Sequence, residues 1–173
     1  ITIPNSLVNF DSFSFGGLVS LESFIVNNEN PKLISIDGIA ANKNIEQAQF
    51  ILGIIYYKKK YGIQNIKNAL YYFNEAGKQN QVDSLYMLGI IYLKGKYVKK
   101  DINKAVYYFT LAGNLNHPDA LYLLGFLNYR REYCPFDINK IIYYYTLAKN
   151  LNHPVASYNL GVIFYEGYYV QRD

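Results

Sequence analysis

The sequence predicts a mostly α fold, a right-handed α-solenoid of antiparallel helix pairs with a short β-type segment at its N-terminal end. Three observations predict it. Residues 101–120, DINKAVYYFTLAGNLNHPDA, return thirty-six positions later as DINKIIYYYTLAKNLNHPVA, residues 137–156, identical at 15 of 20 positions. A more diverged copy, NIKNALYYFNEAGKQNQVDS, fills 65–84. The pairs Leu52-Gly53, Leu88-Gly89, Leu124-Gly125 and Leu160-Gly161 keep the same 36-residue spacing. A fixed period of about 20 to 50 residues marks stacked units, each burying its apolar face only against its neighbours.

The first 38 residues follow a different rule. Ile1-Thr2-Ile3 and Phe24-Ile25-Val26 are short β-type triplets 23 residues apart. Between them Leu7, Phe10, Phe13, Phe15, Leu18 and Leu21 are too irregular for one amphipathic helix and suit coils with one short strand per turn. Ile1, Ile3 and Pro4, the conservative fillings Phe10, Phe15, Leu21, Phe24 and Val26, and the turn Asn30-Pro31, Ser35, Ile36, Asp37-Gly38 resemble BspA-type leucine-rich repeats. Asp11, Ser14 and Leu18 depart from that pattern. The expected division is therefore 1–38, the end of a leucine-rich-repeat segment, and 39–173, a helical solenoid.

Each 36-residue unit divides into two helices. Helix A of the best copy covers about 83–94, with Leu85, Leu88, Ile91 and Tyr92 along one face. Gly89 lies mid-helix, where glycine costs about 1 kcal/mol relative to alanine. Its presence in all four copies, as Gly53, Gly89, Gly125 and Gly161, predicts close approach of another backbone, with the small Ala105 and Ala112 of helix B opposite. Asp101 and Asp137, with Asn65 in the earlier copy and Asp173 in the last, are expected to cap the start of helix B. Asn80, Asn116 and Asn152 fall where a left-handed C-terminal cap belongs, and Pro118 and Pro154 where the next helix begins. The third unit departs: Arg130-Arg131-Glu132-Tyr133-Cys134-Pro135-Phe136 replaces the glycine loop, Asn128 replaces a tyrosine and Ile141 an alanine, so its packing is expected to be reshaped.

Tyr86, Leu88-Gly89, Tyr92, Gly95, Val98, Asp101, Lys104-Ala105, Tyr107-Tyr108 and Ala112-Gly113 together resemble the Sel-one-like repeat, a relative of the tetratricopeptide repeat. The resemblance covers about 45–173, as three full units and half of a fourth. It implies a non-enzymatic scaffold or adaptor; such repeats serve as assembly platforms in signalling and in endoplasmic-reticulum quality control, and some bacterial ones in host interaction. The BspA-type resemblance adds an association with surface adhesion.

Composition narrows the classes. Hydrophobic content of 51% with 17% charged residues suits a folded chain. No apolar run approaches the roughly 18 residues of a membrane span. A single cysteine, Cys134, gives no internal disulfide framework and favours a reducing, cytoplasmic compartment. The chain starts without methionine and stops at Asp173, where helix B of a fourth unit should start, so it reads as an excerpt of a longer protein. On that reading the last helix A, about 155–166, leaves Leu160 and Ile163 uncovered, and the fragment should fray or self-associate.

No residue set points to catalysis, a cofactor or a metal. Asp101, Asp137 and Asp173 repeat at a helix-packing distance on the order of 10 Å, too far apart for two carboxylates to work on one bond. His117 and His153 are equally separated and read as turn residues. Cys134 has no histidine nearby in sequence. Lys58-Lys59-Lys60 and Lys94, Lys96, Lys99 and Lys100, interleaved with Tyr57, Tyr61 and Tyr97, raise the alternative of single-stranded nucleic acid, but a net charge of +4 is low for such a domain.

The leading expectation is a protein or peptide partner on a groove lined by helix A. Groove positions counted from each Leu-Gly pair are Ile54, Ile90, Phe126 and Val162, then Tyr57, Leu93, Tyr129 and Tyr165, followed by Lys58, Lys94, Arg130 and Glu166. Aromatic anchors beside a charge suit peptide recognition, although the apolar members are equally suited to packing between repeats. A regulatory role, with the repeats tethering a catalytic domain outside this chain, is the second hypothesis.

Overall fold

A computed structural model describes residues 24–26, 33–36, 39–42, 46–58, 65–130 and 136–165. Three short strands come first: β1 (Phe24–Val26), β2 (Leu33–Ile36) and β3 (Ile39–Asn42). They form an antiparallel sheet in the order β1-β2-β3, with Ile25 opposite Ser35 and Ser35 opposite Ala40. Most of the expected leucine-rich-repeat segment, residues 1–23 and 27–32, lies outside the described residues.

Seven helices follow among the described residues: α1 (Glu46–Tyr57), α2 (Ile66–Gly77), α3 (Val82–Lys94), α4 (Ile102–Asn114), α5 (Pro118–Tyr129), α6 (Ile138–Asn150) and α7 (Pro154–Tyr165). The odd helices are A and the even ones B, and the fold is of the repeat-solenoid class. The chain forms two compact units, residues 1–81 and 82–173.

Local chemistry sets the helix ends. The side chains of Asn65, Asp101 and Asp137 accept from the backbone N–H of Asn68, Lys104 and Lys140, at 3.0–3.2 Å, which satisfies a donor the helix cannot. Asn80, Asn116 and Asn152 adopt φ of 61–62°, the left-handed conformation that asparagine tolerates best after glycine. Each reverses the chain so that the following N–H returns to the helix: His117 donates to Ala112 O and His153 to Ala148 O, both at 3.0 Å. Asp101 and Asn65 also donate their backbone N–H to Tyr92 O and Tyr56 O, tying the start of each B helix to its own A helix.

In the first unit the core of the helix pair is Phe73, fully buried between Ala69 and Ala76 and tilted against Phe50 at 6.1 Å. In the second, Phe109 with Ala105 and Ala112 packs against Leu85, Leu124 and Leu127. Tyr145 with Ile141 and Ala148 packs against Leu121, Leu160 and Ile163.

The glycines correct one expectation. No backbone fills the space over Gly53, Gly89 or Gly125; an aromatic ring does. A Cβ at Gly53 or Gly89 would fall inside the van der Waals shell of Phe73 or Phe109, and one at Gly125 would lie 2.6 Å from Tyr145 Cδ1. The alanines stand either side of each ring on the B helix and leave it room to reach the glycine. A large residue faces a missing one.

A second correction concerns α7. Leu160 and Ile163 are each only 5% exposed, because α6 covers them with Ile141, Tyr145 and Ala148. The open side of α7 is the other one, where Gly161 has nothing within 4 Å and Tyr158 is 72% exposed.

The third unit is reshaped where the sequence departs. Tyr56 stacks on Tyr72 at 5.7 Å and Tyr92 on Tyr108 at 5.8 Å. Asn128 stands at the corresponding position of α5 and donates instead to Leu124 O. A hollow of about 630 Å³ lies there, lined by Asn128 and Tyr144 together with Val106, Leu124, Phe136 and residues 137–140.

Candidate functional site

The groove positions separate by environment. Ile54 is buried within α1, and Ile90 and Leu93 pack against the Phe109 core. Tyr57 and Lys58 are half-buried, and Lys94 is exposed beyond the last turn of α3. Tyr165 stands 93% exposed at the end of α7. Glu166 lies outside the described residues, as do Lys59, Lys60, Tyr61, Cys134 and Asp173.

Phe126, Tyr129 and Arg130 come together. Phe126 and Tyr129 face a cavity of about 320 Å³ between α5, α6 and α7, also lined by Tyr122, Tyr145, Asn159, Val162 and Ile163. Tyr129 is half exposed at its edge. The Arg130 guanidinium lies 5.9 Å from the Phe126 ring centroid, within reach of a cation–π contact. The walls are four aromatic rings and two aliphatic side chains, and the one polar pair is Tyr145 hydroxyl with Asn159, joined by a side-chain hydrogen bond.

Comparing copies explains why space opens here. Position 159 is Leu123 one unit earlier and Met87 before that; position 162 is Phe126 and then Ile90. Asparagine and valine are the smallest members of their two rows. Tyr145 takes the place of Phe109 and Phe73, bringing a hydroxyl to a position that is otherwise wholly apolar. Burial first, and then the neighbouring Tyr122 and Tyr129, push its phenol up to about 12, while the Asn159 hydrogen bond pulls the other way. The cavity therefore presents a neutral hydroxyl. Reading the rows for their average character finds Phe126, Val162 and Tyr129 but passes over Tyr122, Tyr145, Asn159 and Ile163. Their signal is where one copy differs from the others.

The histidines do more than turn the chain. His117 Nδ1 accepts from Ala120 N–H at 3.2 Å and His153 Nδ1 from Ala156 N–H at 3.1 Å, so each imidazole caps an A helix. Each ring stacks on a tyrosine of the preceding A helix, Tyr86 at 4.4 Å and Tyr122 at 4.5 Å. The far nitrogen, Nε2, faces a carboxylate of that same helix, Asp83 at 3.5 Å and Asp119 at 3.3 Å. One side chain thus joins two helices and ends a third. His153 also holds Tyr122, a wall of the cavity.

The exposed lysines Lys94, Lys96, Lys99 and Lys100 surround Tyr97, with Lys96 Nζ 4.9 Å from its ring. Among the described residues no group of three or more His, Cys, Asp or Glu side chains is arranged to hold a metal. No helix among them is long and apolar enough to cross a membrane.

Comparison with known proteins places this geometry. The Sel1 repeat model matches residues 46–81, 82–117, 118–153 and 154–173. No curated protein matches the sequence. Among solved structures, a Sel1 repeat protein from Oxalobacter formigenes is similar at 25% identity and a TM-score of 0.68, over 75% of this chain and 53% of its own. A protective antigen of uropathogenic Escherichia coli strains, displaying an SLR fold, gives a TM-score of 0.68 at 23% identity, over 72% of this chain and 27% of its own. The cysteine rich protein B of Helicobacter pylori gives 0.54 at 24% identity, over 64% of this chain and 88% of its own. The chain thus spans about half of the first of these and about a quarter of the second. No match extends over the strands or the residues before them.

Proposed function

The chain belongs to the Sel1 repeat family, and from that premise we propose that it is an interaction scaffold whose cavity between α5 and α7 receives a side chain of a protein partner. The single observation that carries this reading is the hollow walled by Tyr122, Phe126, Tyr129 and Tyr145. Its volume of about 320 Å³ is at the small end of ligand sites and suits one large apolar side chain rather than a cofactor. Aromatic walls with few polar groups are the usual composition of an anchoring pocket at a protein interface. The Tyr145 hydroxyl and Asn159 amide give that side chain, or the backbone beside it, something to hydrogen-bond. Arg130 at the mouth favours a partner segment with a carboxylate next to its anchor.

The test is a nuclease-treated pull-down from lysate of the source organism, with this chain set against Tyr129→Ala/Arg130→Ala and Asn159→Leu variants. Asn159→Leu restores the residue of the preceding unit and fills the cavity without unfolding its walls. A protein retained by the native chain and lost by both variants supports the reading. Equal retention by all three moves the interface elsewhere, and retention that disappears only with nuclease favours nucleic acid on the lysine loops.

A further inference from the structure

We propose that two copies of this chain pair through α7, antiparallel about a twofold axis, with the Tyr158 ring of each copy seated over Gly161 of the other.

The chain itself defines what belongs on this face. Three times a helical glycine is covered by an aromatic ring: Gly53 by Phe73, Gly89 by Phe109 and Gly125 by Tyr145. Each of those rings also meets an aromatic side chain three residues before the glycine, Phe50 at 6.1 Å, Tyr86 at 6.0 Å and Tyr122 at 5.6 Å. In α7 the glycine and the ring before it are both present, as Gly161 and Tyr158. Yet nothing lies within 4 Å of a Cβ at Gly161, and Tyr158 is 72% exposed where Phe50 is 5%.

A second copy is the occupant that this face fits. The covering rings Phe73, Phe109 and Tyr145 already sit over glycines of their own, so a second copy has only its α7 to offer. That helix carries an exposed ring and an empty seat three residues apart, which makes it complementary to itself. In an antiparallel pair centred between positions 159 and 160, Tyr158 opposes Gly161 of the second copy, and Gly161 opposes Tyr158. The same register sets Tyr165, 93% exposed, against Pro154 of the second copy. A patch that pairs with itself closes as a dimer and does not propagate. Nor does charge oppose it: Pro154–Tyr165 contains no Asp, Glu, Lys or Arg.

The test is sedimentation equilibrium on the 173-residue chain. The native chain is expected at twice 20.0 kDa, with Tyr158→Ala and Gly161→Glu each weakening dimerisation at least tenfold. Both residues are exposed within one copy, so the circular-dichroism spectra should not change. In a Cys134→Ser background, mixing Tyr158→Cys with Gly161→Cys should give a disulfide between the two variants, faster than either variant alone. A native chain still monomeric at about 200 μM, weaker than any useful self-affinity, overturns the proposal. So does a dimer that both variants leave intact, which would place the contact on another face.

Discussion

The Phe109 ring of α4 occupies the space that a side chain on Gly89 of α3 would fill. Each residue explains the other: the ring has room because the glycine is bare, and the glycine is tolerated mid-helix because the ring covers it. The same substitution should therefore have opposite effects in two copies. Gly89→Ala gains about 1 kcal/mol of helix propensity but overpacks the core at a cost of about 1–3 kcal/mol, so a net loss of roughly 1–2 kcal/mol is expected. Gly161→Ala, with no ring above it, should stabilise by up to about 1 kcal/mol. Urea melts of the two variants beside the native chain decide the matter, and a shift of the same sign in both would refute it.

Removing the ring is the complementary experiment. Phe109 is fully buried, and Phe109→Ala should cost about 3–5 kcal/mol. Alanine scanning of the B-helix surface, for instance Tyr107→Ala, should change stability by less than about 0.5 kcal/mol. The contrast between neighbouring tyrosine and phenylalanine, read from the same melts, separates a core seat from a general aromatic effect.

The histidine junctions predict a graded series. His153→Ala removes a helix cap, worth about 1 kcal/mol, and a ring stacked on Tyr122, worth about 0.5–1.5 kcal/mol. His153→Asn keeps an acceptor at the cap and loses only the stack. Stability in urea should fall in the order native, His153→Asn, His153→Ala. A histidine acting only as a turn residue would make the two variants alike.

Alkaline pH should weaken the second unit through Tyr145. Its folded-state phenol stands at about 12 against an ordinary value of 10.0, chiefly through burial. Below pH 10 both folded and unfolded chains keep the proton, and this group contributes no pH dependence. From pH 10 to 12 the unfolded chain has lost the proton that the folded chain retains, so stability falls as pH rises, by up to about 3 kcal/mol. Tyr145→Phe, which restores the residue of the earlier copies, should flatten that decline in melts taken across the same range. Tyr72, Tyr86, Tyr108 and Tyr144 are raised in the same direction by burial, so the slope should lessen without vanishing.

The hollow beside Asn128 should accept the ring its copies have. Asn128→Tyr places a phenol where Tyr92 stacks on Tyr108, within reach of Tyr144. It gives up one hydrogen bond to Leu124 O, and a net gain of about 0.5–1 kcal/mol is expected from the aromatic pair. An increase in melting temperature checks it, and a decrease would mean that the hollow does not accommodate the ring.

What could be read in advance was what is local. The caps at Asp101 and Asp137, the left-handed Asn116 and Asn152, and the prolines that open α5 and α7 each depend on a few adjacent residues, and repetition makes them conspicuous. The ring over the glycine was not legible, because Gly89 and Phe109 lie twenty residues apart on different helices and the size match is inverse. Pairing the glycine with alanines followed residue size and missed the side chain between them. The His117 contacts with Asp83 and Tyr86 were hidden for the same reason of distance. The cavity was half legible: Phe126 and Tyr129 belong to a regular row, whereas Asn159 and Tyr145 are departures from theirs.

The ring in its glycine seat also fixes the phase of one helix against the other. Rotating or sliding α3 by a single residue would bring Leu88 or Ile90 under Phe109, where no space exists for either. That alignment is set entirely within one 36-residue unit, between a glycine and a ring twenty positions on. A unit can therefore be copied into the chain, or deleted from it, without re-aligning the helices inside its neighbours. The near-identity of residues 101–120 and 137–156 is what a recent duplication of such a self-aligning unit would leave.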